Sequence, residues 1–266
     1  MIRRIGEDLV LAFGFLTRLP MPSVAVREGR RLSEAFWAFP LAGLVVGAAA
    51  GGVLWLGLWL GIGKAVAAIL SLATLALLTG AMHEDGLADF WDGLGGGRTR
   101  ERKLEIMRDS HVGTYGVLAL LLCYFALIAL MAELTHLLTS WLPAHSVSPF
   151  PGVYIIVWLA SAVMLSRCMI VIPALFLDFA RDNGLAKLFG RPSMSSLVIS
   201  LLWPILLVAV ILQTAAVPLI IGSAVGSIAI SLLAARYLRG VTGDVFGASI
   251  MLSFVTGLLA TVVWLS

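Results

Sequence analysis

Seven stretches of this chain are apolar for long enough to cross a bilayer, and that constrains the fold more than any other feature. They cover residues 36–60, 66–82, 115–138, 153–177, 197–214, 218–235 and 247–265. A span needs about 20 predominantly apolar residues, because the hydrocarbon core is about 30 Å thick and a helix rises about 1.5 Å per residue. Lipid offers no partner to backbone N–H and C=O groups, so such runs pair their own backbone as helices. Each run is apolar around its whole circumference rather than along one stripe, which suits burial in lipid or in a bundle. With 60% hydrophobic and 12% charged residues, the chain lies outside the range of soluble domains. The expectation is an all-α, polytopic transmembrane helix bundle of about seven spans, forming a single integral-membrane domain over residues 1–266. A net charge of +3 is too small to imply a nucleic-acid partner.

Charge in the connecting segments sets the orientation. Lys and Arg number six up to Arg31, five over residues 83–113, three over 178–193 and two over 236–246. The alternate connections hold Lys64 alone, then none around Pro143, none around Ala216 and none at the C-terminus. By the positive-inside rule the N-terminus is cytoplasmic and the C-terminus outside, in the cytoplasmic (inner) membrane. Every Asp and Glu except Glu133 falls on the same side. Segment 1–34 is expected to be cytoplasmic or interfacial, with an amphipathic helix over 5–19 lying in the interface. Arg3 and Arg4 precede an apolar stretch there, but Glu7 and Asp8 interrupt it and no small-residue cleavage site follows, so it reads as a retained helix. Gly43, Gly47 and Gly51 recur at the small-xxx-small spacing that lets helices pack closely. Cys123 and Cys168 sit in apolar runs without a CxxC partner and read as small buried side chains.

The second run ends in His83-Glu84-Asp85-Gly86-Leu87-Ala88-Asp89-Phe90-Trp91-Asp92-Gly93. One charge at the bilayer centre costs about 2.5–3.5 kcal/mol, so four carboxylates cost on the order of 10 kcal/mol unless they reach the interface or bind cations. The span must therefore stop here, or the acids must line a wet cavity. Asp85, Asp89 and Asp92 follow i, i+4 and i+7, which puts them on one helical face. Like charges so placed repel, and a divalent cation turns that repulsion into coordination. Mg²⁺, a hard ion content with carboxylate, water and phosphate oxygens, is the natural candidate. His83 is offset from the row, where it would serve as a proton acceptor. The plain alternative is a solvated acidic helix end.

Gly95-Gly96-Gly97 follows, without the lysine or spacing of a P-loop. A short basic helix comes next, with Arg98 and Arg102 on one face and Glu105 and Asp109 on another. Alone it would be a topology determinant or an anionic-lipid contact. A carboxylate-held metal beside an arginine cluster is also what phosphoryl transfer requires. Segment 83–113 is thus the candidate catalytic loop. Asp244 in Thr242-Gly243-Asp244 would either add a ligand or cap the next helix. Arg167, inside a span, is a site candidate with a carboxylate or phosphate as partner. Arg181, Asp182, Lys187 and Arg191 read as an ordinary charged loop, and Glu133, His136 and His145 as bland.

Taken in order, these motifs resemble the cobalamin synthase family, the adenosylcobinamide-GDP ribazoletransferases. Phe15-Leu16-Thr17-Arg18-Leu19-Pro20 is similar to its opening signature, and Phe39-Pro40-Leu41 with Gly43 and Gly47 to its first-span motif. The run from His83 through Asp85, Gly86, Asp89, Asp92 and Gly93 resembles its most specific motif. Ile106-Met107-Arg108-Asp109-Ser110 with Gly113 and Gly116, and Thr242-Gly243-Asp244 with Gly247, resemble the next and the last. Phe90-Trp91 departs from the small pair usual there. The resemblance implies Mg²⁺-dependent joining of adenosylcobinamide-GDP to α-ribazole or α-ribazole 5′-phosphate, with release of GMP. Asp85, Asp89 and Asp92 would hold metal, completed by Asp109 and Asp244. Arg98, Arg102, Arg108 and Gly93 would bind substrate, and His83 or a carboxylate, Asp89 or Asp92, would accept the proton. A homo-oligomer is compatible with this reading. Two other classes compete. Asp89-x-x-Asp92-Gly93 also begins the CDP-alcohol phosphotransferase motif, although Gly96 stands where that motif carries alanine. An ion-coupled transporter would instead show broken helices near the midplane.

Overall fold

The computed structural model describes residues 2–22, 31–141, 152–181 and 190–266. Pro143, His145, Asp182 and Lys187, read above from the sequence, lie outside the described residues. Eleven helices are described: α1 (Ile2–Leu16), α2 (Phe39–Trp59), α3 (Lys64–Thr79), α4 (Met82–Gly96), α5 (Arg100–Ile106), α6 (Thr114–Trp141), α7 (Gly152–Cys168), α8 (Val171–Phe176), α9 (Met194–Leu212), α10 (Ala216–Tyr237) and α11 (Gly243–Leu265). Short 3-10 segments, Leu32–Ala38 and Gln213–Ala215, precede α2 and join α9 to α10. The described residues contain no strand, only one isolated bridge between Phe179 and Val241. The protein is an all-α polytopic bundle, as expected.

Length and composition pick out five candidate spans, or six when the bent pair α3 and α4 is taken as one. Seven requires, in addition, that the 44-residue stretch Met194–Tyr237 be two. Its geometry is that of a hairpin. Cys168 contacts the Ser200 carbonyl on α9, and Ser227 on α10 donates to the neighbouring Met169 carbonyl. The chain therefore leaves that level, turns at Gln213 (φ 51°) and comes back to it.

Glycines make the helix seams. α2 runs against α7, where a Cβ at Gly47 would lie 2.7 Å from Val163 Cβ and one at Gly51 would lie 2.8 Å from Ile156 Cα. The small-xxx-small spacing read from the sequence is thus a packing seam. α7, buried through most of its length, is the centre of the bundle, while α6 leaves most of its surface at the periphery.

The basic segments meet on one face. Arg18 N–H donates to the Leu78 carbonyl at the end of α3 (2.6 Å). Arg100 donates from Nε to Leu238 O and from Nη2 to Ala180 O, both at 2.7 Å. Gly190 packs on Arg31. α1 occupies 2–16 rather than 5–19 and is held more firmly than an interfacial helix need be. Asp8 turns inward to accept from Trp37 Nε1 (3.0 Å), and Phe15 stacks on Phe39.

Candidate active site

α4 leaves α3 at 91°. The turn is made by two successive left-handed residues, Gly80 (φ 65°) and Ala81 (φ 55°). The carboxylates of α4 therefore do not continue the α3 span but lie across the face where the basic segments gather. At its far end Lys103 Nζ donates to the Leu94 and Gly97 carbonyls, which satisfies the orphan acceptors of the last turn.

α4 crosses the start of α11 at a glycine pair. A Cβ on Gly86 would stand 3.1 Å from Gly247 Cα and 3.2 Å from Asp244 Cα. This contact brings two sequence-distant motifs together and sets Asp244 beside Asp85 and Asp89. Asp244 occupies the first turn of α11, where the helix dipole favours a negative charge. Thr242 Oγ1 accepts from Val245 N–H and donates to Asp244 Oδ2 (3.1 Å), which fixes the side chain. Asp89 is half-buried among these acids. Burial, then the charges of Asp85, Asp244 and Asp92, push its pKa up to about 7, with Arg181 opposing.

Beside the crossing is a cavity of about 90 Å³ lined by Phe15, Phe39, His83, Asp85, Asp244 and Phe246 among others. His83 is buried, and its Nε2 makes no hydrogen bond. Burial and the Arg167 guanidinium hold the imidazole neutral, well below its usual range. Glu84, one residue on, points into the bundle and accepts from Tyr124 Oη (3.0 Å). Arg167 lies buried near it, donating to Ser166 Oγ (2.8 Å) and packed on Gly43.

Not every expected residue joins this group. The stripe of Asp85, Asp89 and Asp92 runs from the open cavity to a position under the N-terminus of α6. There the buried Asp92 accepts from Gly113 N–H (2.7 Å) and Gly116 N–H (2.8 Å), one with each oxygen. Both glycines are required, since a Cβ at either would run into that carboxylate. Asp109 is exposed and bound to His111, through the backbone N–H (3.1 Å) and through Nδ1 (2.6 Å). It lines a separate hollow of about 290 Å³ with Asp92, His111 and Tyr115. Gly93 is a seam residue, where a Cβ would stand 3.0 Å from the Lys103 carbonyl on α5. Arg98 is exposed, and Arg102 pairs on the surface with Glu105 (2.7 Å). Arg108 lies close enough to Arg181 to repel it. Arg181, which the sequence presents as part of an ordinary charged loop, interacts electrostatically with Asp244 and Asp89.

Three carboxylates and no thiol make a donor set of the type a hard cation prefers. Among the described residues, no three His, Cys, Asp or Glu side chains gather closely enough to hold an ion unaided. A cation at this site would therefore need water or phosphate oxygens to complete its shell.

Fold and site together define a class: a polytopic all-α membrane protein whose acids collect at one face, where α4 crosses α11. Within it, the chain belongs to the family described as Cobalamin-5-phosphate synthase, whose profile matches residues 8–262. It is 41% identical over 251 residues to an adenosylcobinamide-GDP ribazoletransferase of Bradyrhizobium diazoefficiens, covering 93% of this chain and 90% of that one. It is 36% identical over 269 residues to the protein of the same name from Azorhizobium caulinodans, covering 98% and 97%. A third, from Prosthecochloris aestuarii, is 34% identical over 249 residues, covering 91% and 92%. No solved structure matches.

Proposed function

We propose that this protein is the transferase that joins adenosylcobinamide-GDP to α-ribazole or its 5′-phosphate and releases GMP. The observation that carries the reading is the α4–α11 crossing. It draws the two motifs carrying Asp85, Asp89 and Asp244 into one carboxylate group at the face where the arginines gather. The relatives that bear this activity in their names align with nearly the whole chain.

In the reaction, a ribose hydroxyl oxygen attacks the phosphorus attached to cobinamide. The bond from that phosphorus to the bridging oxygen breaks, and GMP leaves with the electron pair. One or two carboxylates of the group Asp85, Asp89 and Asp244, together with water and substrate oxygens, would hold Mg²⁺, which when bound would screen the phosphate oxygens and the charge developing on the leaving group. His83, held neutral and lining the cavity, would accept the hydroxyl proton. The apolar walls of Phe15, Phe39 and Phe246 exclude water from that proton transfer. Asp92 acts on the site indirectly by fixing α6 against α4. From the Lys and Arg asymmetry we place this face in the cytoplasm, with the C-terminus outside.

The test uses purified protein in detergent with adenosylcobinamide-GDP, α-ribazole and Mg²⁺. GMP and a corrinoid product should appear in equal amounts and depend on the metal. Absence of GMP from folded protein given all three would overturn the assignment, and CMP release from a CDP-alcohol would replace it with the competing phosphotransferase reading.

A further inference from the structure

Among the arginines of this face, Arg181 is anchored beside a backbone clasp, and it lies outside every motif that the sequence singles out. It follows a two-chain clasp. Ala180 N–H donates to the Val241 carbonyl (3.0 Å), and Val241 N–H donates to the Asp178 carbonyl (2.8 Å). Gly240 permits the approach, since a Cβ there would stand 2.7 Å from Ala180 N. Arg100 locks both sides of the clasp through its bonds to Leu238 O and Ala180 O. The Arg181 guanidinium then donates from Nη2 to the Leu104 carbonyl on α5, while its Nε is buried without a hydrogen bond. Its charged neighbours are Asp244, Asp89 and Arg108.

An unpaired buried donor on a charged group costs free energy that the fold does not recover by itself. The charge pattern indicates what would recover it. Asp85, Asp89 and Asp244 repel one another and call for a cation. Arg181 and Arg108 repel one another and call for an anion. A diphosphate carrying a divalent cation supplies both at once, and a planar guanidinium can fork onto two phosphate oxygens where an ammonium cannot.

We infer that Arg181, assisted by Arg108, is the substrate-binding residue for the diphosphate, taking its non-bridging oxygens opposite the carboxylates of α4 and α11. This rests on the transferase reading above. It assigns the task to a side chain held by the Phe179–Val241 clasp, in place of the exposed Arg98 and Arg102.

The experiment measures GMP release by wild type, Arg181→Met and Arg181→Lys while each substrate is varied in turn. Losing a forked, charge-assisted contact should raise KM for adenosylcobinamide-GDP by about tenfold or more. KM for α-ribazole should stay near wild type. Arg181→Lys, which keeps charge and stem but not the fork, should fall between the two. Inhibition by inorganic pyrophosphate should weaken in parallel. If Arg181→Met does not fold, Arg181→Lys carries the same test, and its selective rise in KM supports the inference. Wild-type KM for the diphosphate substrate in the variants, or an equal change for both substrates, overturns it. Failure of wild type itself to release GMP would instead sink the transferase reading, so the two failures are distinguishable.

Discussion

Asp89 and Asp92 are three residues apart on one helix face, yet their surroundings predict opposite behaviour. Asp92 is buried, with each oxygen taking a backbone N–H at the start of α6. Asp92→Asn keeps one acceptor and sets an NH₂ against a donor, which should cost about 1–3 kcal/mol of stability. A lowered unfolding midpoint with Mg²⁺ binding retained is the expected result. Asp89 is crowded by carboxylates, so Asp89→Asn should leave the midpoint at or above wild type while turnover falls by about two orders of magnitude or more. Turnover within a few fold of wild type would remove Asp89 from the metal site. The raised pKa adds a pH signature. The folded state holds the Asp89 proton up to about pH 7, whereas the unfolded chain releases it near the ordinary carboxylate value of 3.8. Asp89's contribution is therefore fully present below the unfolded pKa and lost as pH rises through about 7. Metal-free protein should lose thermal stability between about pH 4 and 7 by this contribution, and Asp89→Asn should flatten the dependence. Mg²⁺ should restore stability most at the alkaline end, because its ligands must be deprotonated. Thermal scans at a series of pH values, with and without Mg²⁺, read all three.

At the scale of elements, two backbone contacts hold the site. The first is the break between α3 and α4. α3 has 16 residues, about 24 Å of helix, so the break falls at the membrane face rather than the midplane. A transporter with a discontinuous helix would place it deeper. Gly80 and Ala81 share nearly the same φ, but only Gly80 has Arg18 packed where a Cβ would project. Gly80→Val should therefore destabilise strongly and swing α4. Ala81→Gly should stay within about 1 kcal/mol of wild type, since relief of left-handed strain offsets the looser unfolded chain. The second contact is Gly86 on Gly247. Gly247→Val would wedge α11 off α4 and carry Asp244 away from Asp85 and Asp89. The expected outcome is protein that still folds, because α10 and α11 keep their own seam at Gly222, Gly226 and Gly257, but that has lost catalysis and Mg²⁺-induced stabilisation. A variant with wild-type metal response would show that the crossing does not assemble the site.

For the molecule as a whole, much was readable from hydropathy and charge because both are one-dimensional. Apolar runs announce helices wherever they pack, and four carboxylates in a row force a span to end. The helical period also placed Asp85 and Asp89 correctly on one face. Periodicity says nothing of what covers a face, so it could not show that α6 begins over Asp92, or that Arg98 and Arg102 look outward. Arg181 was hidden for a related reason. It lies 89 residues beyond Asp92 and reaches the acids only because the chain closes on itself at Phe179 and Val241. That closure requires three chain segments, around Arg100, Ala180 and Gly240, to share one face, so the topology can be tested directly. Single cysteines can replace the exposed Lys64 and Gln213 on one predicted side and Arg98 and Arg239 on the other, in a Cys123→Ala, Cys168→Ala background. A membrane-impermeant maleimide should label the first pair in intact spheroplasts and the second only in inverted vesicles. Gln213→Cys is the decisive position, because it sits at the tip of the α9–α10 hairpin. Labelling from the same side as Arg239→Cys would mean that Met194–Tyr237 does not cross twice. The α9–α10 hairpin would then enter and leave by the face that carries the site, and the reading of the uncharged turn around Ala216 as an outside loop would have to be abandoned.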